Sequence, residues 1–326
     1  MPEFNLIRRI TEIIDVPLSP GNGRCVLGIG DDAALLEVPR DRQLAVCSDT
    51  LVEGIHFPGD SDPHAVGHKS LAVNLSDLAA MGADPAWFLL ALTLPDGDPE
   101  WLESFATGMA ELAREYGIAL VGGDTTSGGL SITVTAAGLV DPDRALLRSG
   151  ARPGDRILVS GRPGRAAFAL QQILAGADAD ASCRQALDYP VPRLALGRVL
   201  RGLASACIDI SDGLAADLGH ILEHSAVGAE VELDALPLAP ALARLPEEDR
   251  WTLQLAGGDD YELCFTVPAE RLAEVIHLAA EAGVEVSEIG KIRSAPGLVF
   301  KRPGGGAFEL GEAGFEHFST PVRGKD

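Results

Sequence analysis

The sequence has no long apolar run; no window reaches the ~20 consecutive apolar residues that a membrane-spanning helix needs. Basic residues are scarce. Over 326 residues, 26 Lys and Arg face 48 Asp and Glu, a net charge of −22. Without a cationic surplus to displace condensed counterions, nucleic acid is excluded as a partner, and an anionic membrane surface with it. Cysteine is sparse: Cys25, Cys47, Cys183, Cys207 and Cys264 are odd in number and show no C-x-x-C spacing. Several lie in apolar runs ("AVCSD", "ELCFTV"), which suits reduced core thiols and leads us to expect a cytoplasmic protein. A leader is not expected either. "MPEFNLIRRITEII" carries acidic residues, and Phe4, Ile7, Ile10 and Ile14 at helical spacing read as an amphipathic helix. Also missing are a G-x-x-x-x-G-K-[ST] loop, H-R-D with D-F-G, H-E-x-x-H and G-x-S-x-G. Any phosphoryl transfer would therefore rest on metal ions and not on a P-loop lysine.

What is present is ordinary globular composition, 46% hydrophobic and 23% charged, at a length that most often divides into two domains. Strand-like runs alternate with helical patterns, which predicts α/β or α+β architecture. "CVLGIG", "LAVCSD", "WFLLALTLP", "IALVGG" and "LSITVTAAGLV" read as strands, with helices over 63–81 and 99–115. The stretch "DPDRALLRSGARPGD" (141–155) is rich in Pro, Gly and charge, so we place a boundary there: residues 1–140, then 141–326. The second part reads as strands "RILVSG", "ACIDI", "YELCFTV", "VEVSEIG" and "GLVFKR", with helices over 164–175, 193–204 and 269–282. No period of 20–50 residues repeats.

The placement of the aspartates is the informative signal. Asp31 and Asp32, Asp49, Asp124, Asp209 and Asp212, and Asp259 and Asp260 all fall at strand ends beside Gly or Ser. Such ends meet in clefts at a shared sheet edge. Asp77 belongs to a helix, on one stripe with Ser70, Asn74 and Met81. A single aspartate of this kind is ordinarily a turn or cap residue; recurrence beside glycine is what argues otherwise. Two carboxylates 4 Å apart repel by about 4 kcal/mol at an effective dielectric near 20. Gathering several demands protons or cations, and an all-oxygen donor set selects Mg²⁺, Mn²⁺ or Ca²⁺ over Zn²⁺. "GIGDDA" (28–33) fits the dinucleotide pattern G-x-G-x-x-A, but the following "ALLEVP" is strand-like, and a phosphate arriving there needs magnesium between it and the acids. Lys69 is either a phosphate contact or a solvated helix lysine. Trp87, Trp101 and Trp251 read as core or interface residues.

"GIGDDAALL", "SDTLVEGIHF", "HKSLAVNLSDLAAMGADP", "LVGGDTTSG", "LLRSGARPGD", "IDISDGLAADLGHI", "GGDDYELCF" and "GFEHF" occur in the order found in the thiamine-phosphate kinase family, which the chain resembles over about residues 4–321. The shorter strings are shared with a wider superfamily that includes aminoimidazole ribonucleotide synthetase and selenophosphate synthetase. The resemblance implies a two-domain PurM-like fold whose N-terminal domain binds ATP and magnesium and lends strands to a homodimer barrel. It implies a C-terminal α/β domain that completes the active site, and direct transfer of the ATP γ-phosphoryl to thiamine monophosphate. It assigns several magnesium ions to Asp32, Asp49, Asp77, Asp124, Asp209 and Asp212, with Cys47 and Ser48 as further metal-contacting positions, Cys47 through its backbone carbonyl, and leaves potassium use open. Gly123, Asp124, Arg148 and Ser211 match nucleotide contacts; His56, Asp259 and Phe315 match positions holding thiamine monophosphate. Asp49, Asp77, Asp124 and Asp212 are the expected catalytic acids. The family more often has "GGEDYEL", so Asp259 is one methylene shorter than the usual glutamate, and its contact can lengthen or pass through water. Two other readings stay in view: another ATP-using synthetase of the superfamily, or a metal-dependent phosphohydrolase.

Overall fold

In the computed structural model, residues 3–17, 21–311, 313 and 314 are described. The first part runs α1 (Glu3–Ile13), β1 (Arg24–Leu27), β2 (Leu35–Glu37), β3 (Gln43–Val52), α2 (Pro63–Ala80), β4 (Asp84–Leu94), α3 (Pro99–Tyr116), β5 (Ala119–Ser127) and β6 (Ser131–Val140). The second runs β7 (Arg156–Ser160), α4 (Arg165–Leu174), α5 (Ala181–Asp188), α6 (Leu194–Leu200), β8 (Ala206–Ile210), α7 (Leu214–Ser225), β9 (Gly228–Glu232) and α8 (Glu247–Ala256). It closes with β10 (Glu262–Val267), α9 (Leu272–Glu281), β11 (Val286–Arg293), β12 (Gly297–Lys301) and β13 (Ala307–Phe308).

Strands β3-β6-β4-β5 form one mixed sheet, and β13-β12-β9-β11-β7-β10-β8 form a second. Helix α2 lies between them. It packs on β3 and β6 of the first sheet and on β8 and β10 of the second, so nearly every face is covered. That position explains its sequence: small and apolar residues all round, with the polar ones tied down. A single apolar core runs through α2 from Phe88 and Ile132 on one side to Leu263 and Phe265 on the other. On α1, Leu6 and Ile10 are buried and Ile7 is half-buried, and Ile14 just past its end is buried too. The side chain of Phe4 lies outside the described residues.

Local chemistry sets the ends of α2 and α3. Asp62 and Asp98 accept hydrogen bonds from the His64 and Glu100 amides, at 3.0 and 2.9 Å, with proline in the first turn of each helix. The two helices cross at glycines. A Cβ on Gly67 would lie 1.9 Å from the Phe105 carbonyl oxygen, and one on Gly108 would lie 2.0 Å from that of His64. Replacing Gly67 with valine must therefore push α3 off α2. We expect a loss of about 3 kcal/mol or more, seen as a fall of roughly 8 °C in melting temperature. An unchanged melting temperature would show that the crossing is not tight.

The strand after "GIGDDA" is β2, paired antiparallel with β1. The helix that a dinucleotide loop must feed is therefore not there. Trp87 and Trp251 are buried, and Trp101 stacks on Phe105 at 5.1 Å between ring centres. Among the described residues no helix is long and apolar enough to cross a membrane.

Candidate active site

Strand alternation decides which β3 side chains face α2. Ala45, Cys47, Asp49 and Leu51 turn toward the helix, whereas Leu44, Val46, Ser48 and Thr50 lie on the open face of the sheet. Thr50 and Ser48 bond Thr133 and Thr135 there, each at 2.8 Å. Asp49 thus meets Asp77 of α2, and β8 brings Asp209 in from the second sheet. Ser76, fully buried on α2, donates to Asp209 Oδ2 at 2.7 Å and so ties the two sheets together at the site.

Asp49, Asp77, Asp209, Ser211, Asp212, His56 and Asp259 all line one cavity of about 460 Å³. The loop after β8 is shaped by Asp217, whose buried carboxylate accepts from the amides of Ser211, Asp212 and Gly213 at 3.1, 3.2 and 3.1 Å. The sequence signal for it was the "SDGLAAD" spacing, an acid one turn into a helix behind a loop that needs a cap.

The electrostatics are those of crowded acids. Burial, then the charges of Asp209 and Asp49, lift Asp77 to about 8. Burial, then Asp49, lifts Asp209 to about 6, against the opposing pull of the Ser76 hydroxyl and the Arg148 charge. Asp217 rises to about 7 through burial and the charges of Asp209 and Asp212. Burial likewise raises Asp49. Each of these is an acid asking for a proton or a cation. The donors are carboxylate oxygens with no thiolate, a chemistry that suits magnesium, although among the described residues no three of them stand close enough together to enclose an ion as placed.

Cys47 does not fit as a thiolate ligand. Its Sγ points at the Asn74 carbonyl, 3.4 Å away, and burial followed by the charges of Asp77 and Asp49 pushes its thiol well up. The Ser48 hydroxyl turns to the opposite side of the sheet from Asp49 and bonds Thr135, yet Ser48 also contributes to the lining of the acidic cavity.

The structure does not bring all the sequence-predicted acids to one place. Asp32, Gly123 and Asp124 line a separate cavity of about 510 Å³ with Gly28, Leu89 and Val46. The reason is sheet order. Asp49 on β3 and Gly123 on β5 share a row with Val134 and Leu90 between them, three strand spacings or roughly 14 Å across. Asp124 shares the next row with Thr50, on the open face. Within the single chain the six acids that the resemblance assigns to magnesium thus fall into two groups, four lining one cavity and two lining the other. Arg148 lies close enough to lower the Asp209 pKa, and its carbonyl accepts from Ser225 at 3.4 Å. Phe315 lies outside the described residues.

His56 Nδ1 accepts from the Val52 amide at 3.0 Å, which fixes the tautomer with its proton on Nε2. His56 and Asp259 also line a second, apolar pocket of about 280 Å³ against Leu51, Ile55, Phe57 and Leu170. Lys69 reaches this boundary and is only 4% exposed, which corrects the reading of it as a solvated lysine.

Residues 30–140 match the family described as "AIR synthase related protein, N-terminal domain", and 152–302 match its C-terminal counterpart. The architecture is thus that of the AIR synthase-related proteins, two domains with a mixed sheet in each. Within that class the chain is 48% identical over 305 residues to thiamine-monophosphate kinase of Escherichia coli K12, covering 90% of this chain and 93% of that protein. It is 36% identical to the Bacillus subtilis enzyme, covering 98% and 100%. The crystal structure of thiamine-monophosphate kinase from Stenotrophomonas maltophilia K279a superposes with a TM-score of 0.84 at 46% identity, covering 92% of this chain and 96% of that one. A structure described as "AaThiL complexed with AMPPCP and TMP" does so at 0.74 and 30% identity, covering 97% of each. The chain belongs to the thiamine-monophosphate kinase family.

Proposed function

We propose that this chain transfers the γ-phosphoryl group of ATP directly to the phosphate of thiamine monophosphate, giving thiamine diphosphate. The observation that carries this is adjacency: an acidic cavity and an apolar pocket share His56 and Asp259 as their common wall. A heteroaromatic phosphate monoester has those two halves, one greasy and one anionic. The relative bound to AMPPCP and TMP supports the same pair of ligands.

Bound magnesium would neutralise the charge of the two reacting phosphates and polarise their oxygens. Asp49, Asp77, Asp209 and Asp212 would hold it. The acceptor phosphate is already an anionic nucleophile at neutral pH, so the site needs no general base, and in-line transfer reduces to positioning and charge compensation. Ser211 and Arg148, both beside Asp209, are placed to orient the nucleotide. His56 and Asp259 would hold the acceptor, with the apolar pocket excluding water from its rings. Asp32, Gly123 and Asp124 remain candidate metal and nucleotide contacts of the second cavity. That cavity opens on the outer sheet face, where Leu44, Val46 and Leu89 are each over 40% exposed, and this apolar face supports pairing with a second copy.

Purified protein given ATP, magnesium and thiamine monophosphate should yield ADP and thiamine diphosphate in equal amounts by mass spectrometry, and little product from free thiamine. Phosphate released without transfer would mean a phosphohydrolase. ATP bound but not consumed would mean a sensor.

A further inference from the structure

Ala65, Lys69, Val73 and Asp77 repeat every four residues along α2 and turn one stripe toward the two cavities. Lys69 stands where the cavities meet. Its Nζ lies 3.1 Å from Asp259 Oδ2 and donates to the His56 carbonyl at 3.4 Å. The other oxygen, Asp259 Oδ1, accepts from the buried Tyr261 hydroxyl at 3.1 Å. Both acid and tyrosine sit in left-handed backbone, φ 67° and 49°, a conformation that residues with a Cβ rarely adopt. Their amides donate to the Ser211 and Ile210 carbonyls, each at 2.8 Å, so the loop is pinned to the end of β8 beside the acids. The carboxylate is therefore gripped at both oxygens, by a lysine on α2 and by a tyrosine of its own loop. A buried ammonium is tolerated only when paired in this way.

We propose that Lys69, with Tyr261, is a positioning residue that aims the Asp259 carboxylate at the acceptor substrate. This rests on the thiamine monophosphate reading above. Held in this way, Asp259 keeps an oxygen lone pair turned to the mouth between the cavities, where it accepts a hydrogen bond from the amino group of the acceptor's heteroaromatic part. Lys69 supplies two further things. It cancels a negative charge that would otherwise repel the acceptor's phosphate on entry. It also draws a side chain one methylene shorter than glutamate into a fixed place between the two walls.

The test separates acceptor binding from ATP binding and from turnover. In Lys69→Met we expect the KM for thiamine monophosphate to rise about tenfold or more, with the KM for ATP changed by less than about twofold. Calorimetric binding of thiamine monophosphate without ATP should weaken by the same factor. Lys69→Arg, which keeps the charge, should recover part of the loss. Because Lys69 and Asp259 act as one unit, Lys69→Met combined with Asp259→Asn should bind the acceptor no worse than the weaker single variant. An unchanged acceptor KM, an equal rise for ATP, or losses that multiply in the double variant would overturn the proposal. Should Lys69→Met fail to fold, Tyr261→Phe decides: an acceptor KM raised about threefold or more supports the grip, and an unchanged one overturns it. Wild-type protein that forms no thiamine diphosphate would instead sink the functional reading, so the two failures are distinguishable.

Discussion

Asp49→Asn should lower turnover by about 100-fold or more, the scale on which removing one charge-stabilising group from a transition-state site is felt. The fold should survive. Asp49 sits on β3 with its side chain toward α2, and asparagine fills the same space without the charge. Stability is the informative second readout, because the expected sign is opposite to that of activity. In the absence of magnesium, Asp49 is one of the charges that lift Asp77 and Asp209, and deleting it relieves repulsion. The metal-free variant should therefore melt at or above the wild-type temperature near pH 8 while its catalysis is lost. Steady-state assays by product mass, paired with thermal melts, separate these effects. Near-normal turnover would remove Asp49 from the metal set. A lowered melting temperature would mean its carboxylate is structurally bonded and not crowded.

Much of this was legible in the sequence, for reasons that can be named. The Asp-Pro starts of α2 and α3 carry their own caps, and their ends fall within a residue or so of the periodic pattern. The recurrence of aspartate beside glycine pointed to a site before any fold was known. What stayed hidden was mostly long-range. α5, α7, α8 and β9 do not stand out in the sequence: the apolar residues of α5 face a local satellite of the core, α8 buries only Trp251, Gln254 and Leu255, and the "GAEVE" of β9 is too polar to read as the interior strand it is. Sheet order is not written in any one strand, and it is sheet order that parts Asp124 from Asp49. Parity, by contrast, was available: Ser48 and Asp49 are adjacent on one strand and must face opposite sides. So was the four-residue repeat of Lys69, Val73 and Asp77, which places a lysine in line with a cavity acid. The Lys69–Asp259 pair was not, since 190 residues separate its members and only the packing of α2 on the second sheet brings them together.

The crowding of the acids gives magnesium a pH-dependent effect on stability whose sign follows from proton linkage. An acid with a folded pKa above its unfolded value binds more protons folded than unfolded. Its contribution to stability is complete below the unfolded value and disappears as pH rises through the folded one. For Asp209, Asp217 and Asp77 those folded values are about 6, 7 and 8, each starting from 3.8. Magnesium-free protein should therefore weaken steadily between roughly pH 4 and pH 8. We expect a loss of several kcal/mol across that window, read as a melting temperature that falls continuously from about pH 4 to pH 8. A divalent cation competes with the protons of Asp77 and Asp209 for the same oxygens, whereas the Asp217 carboxylate is turned to the loop amides, so magnesium stabilisation should be greatest where the first two protons are gone. Saturating magnesium should raise the melting temperature strongly near pH 8.5 and barely near pH 5.5. Asp77→Asn should flatten the magnesium-free curve, because the most strongly raised of the three acids no longer titrates. A magnesium shift equal at both pH values would place the cation elsewhere, and one larger in acid would contradict the linkage. In either case the four carboxylates around Asp77 would have to be read as a proton-sharing cluster, and the charge compensation that phosphoryl transfer requires would have to come from outside this cavity.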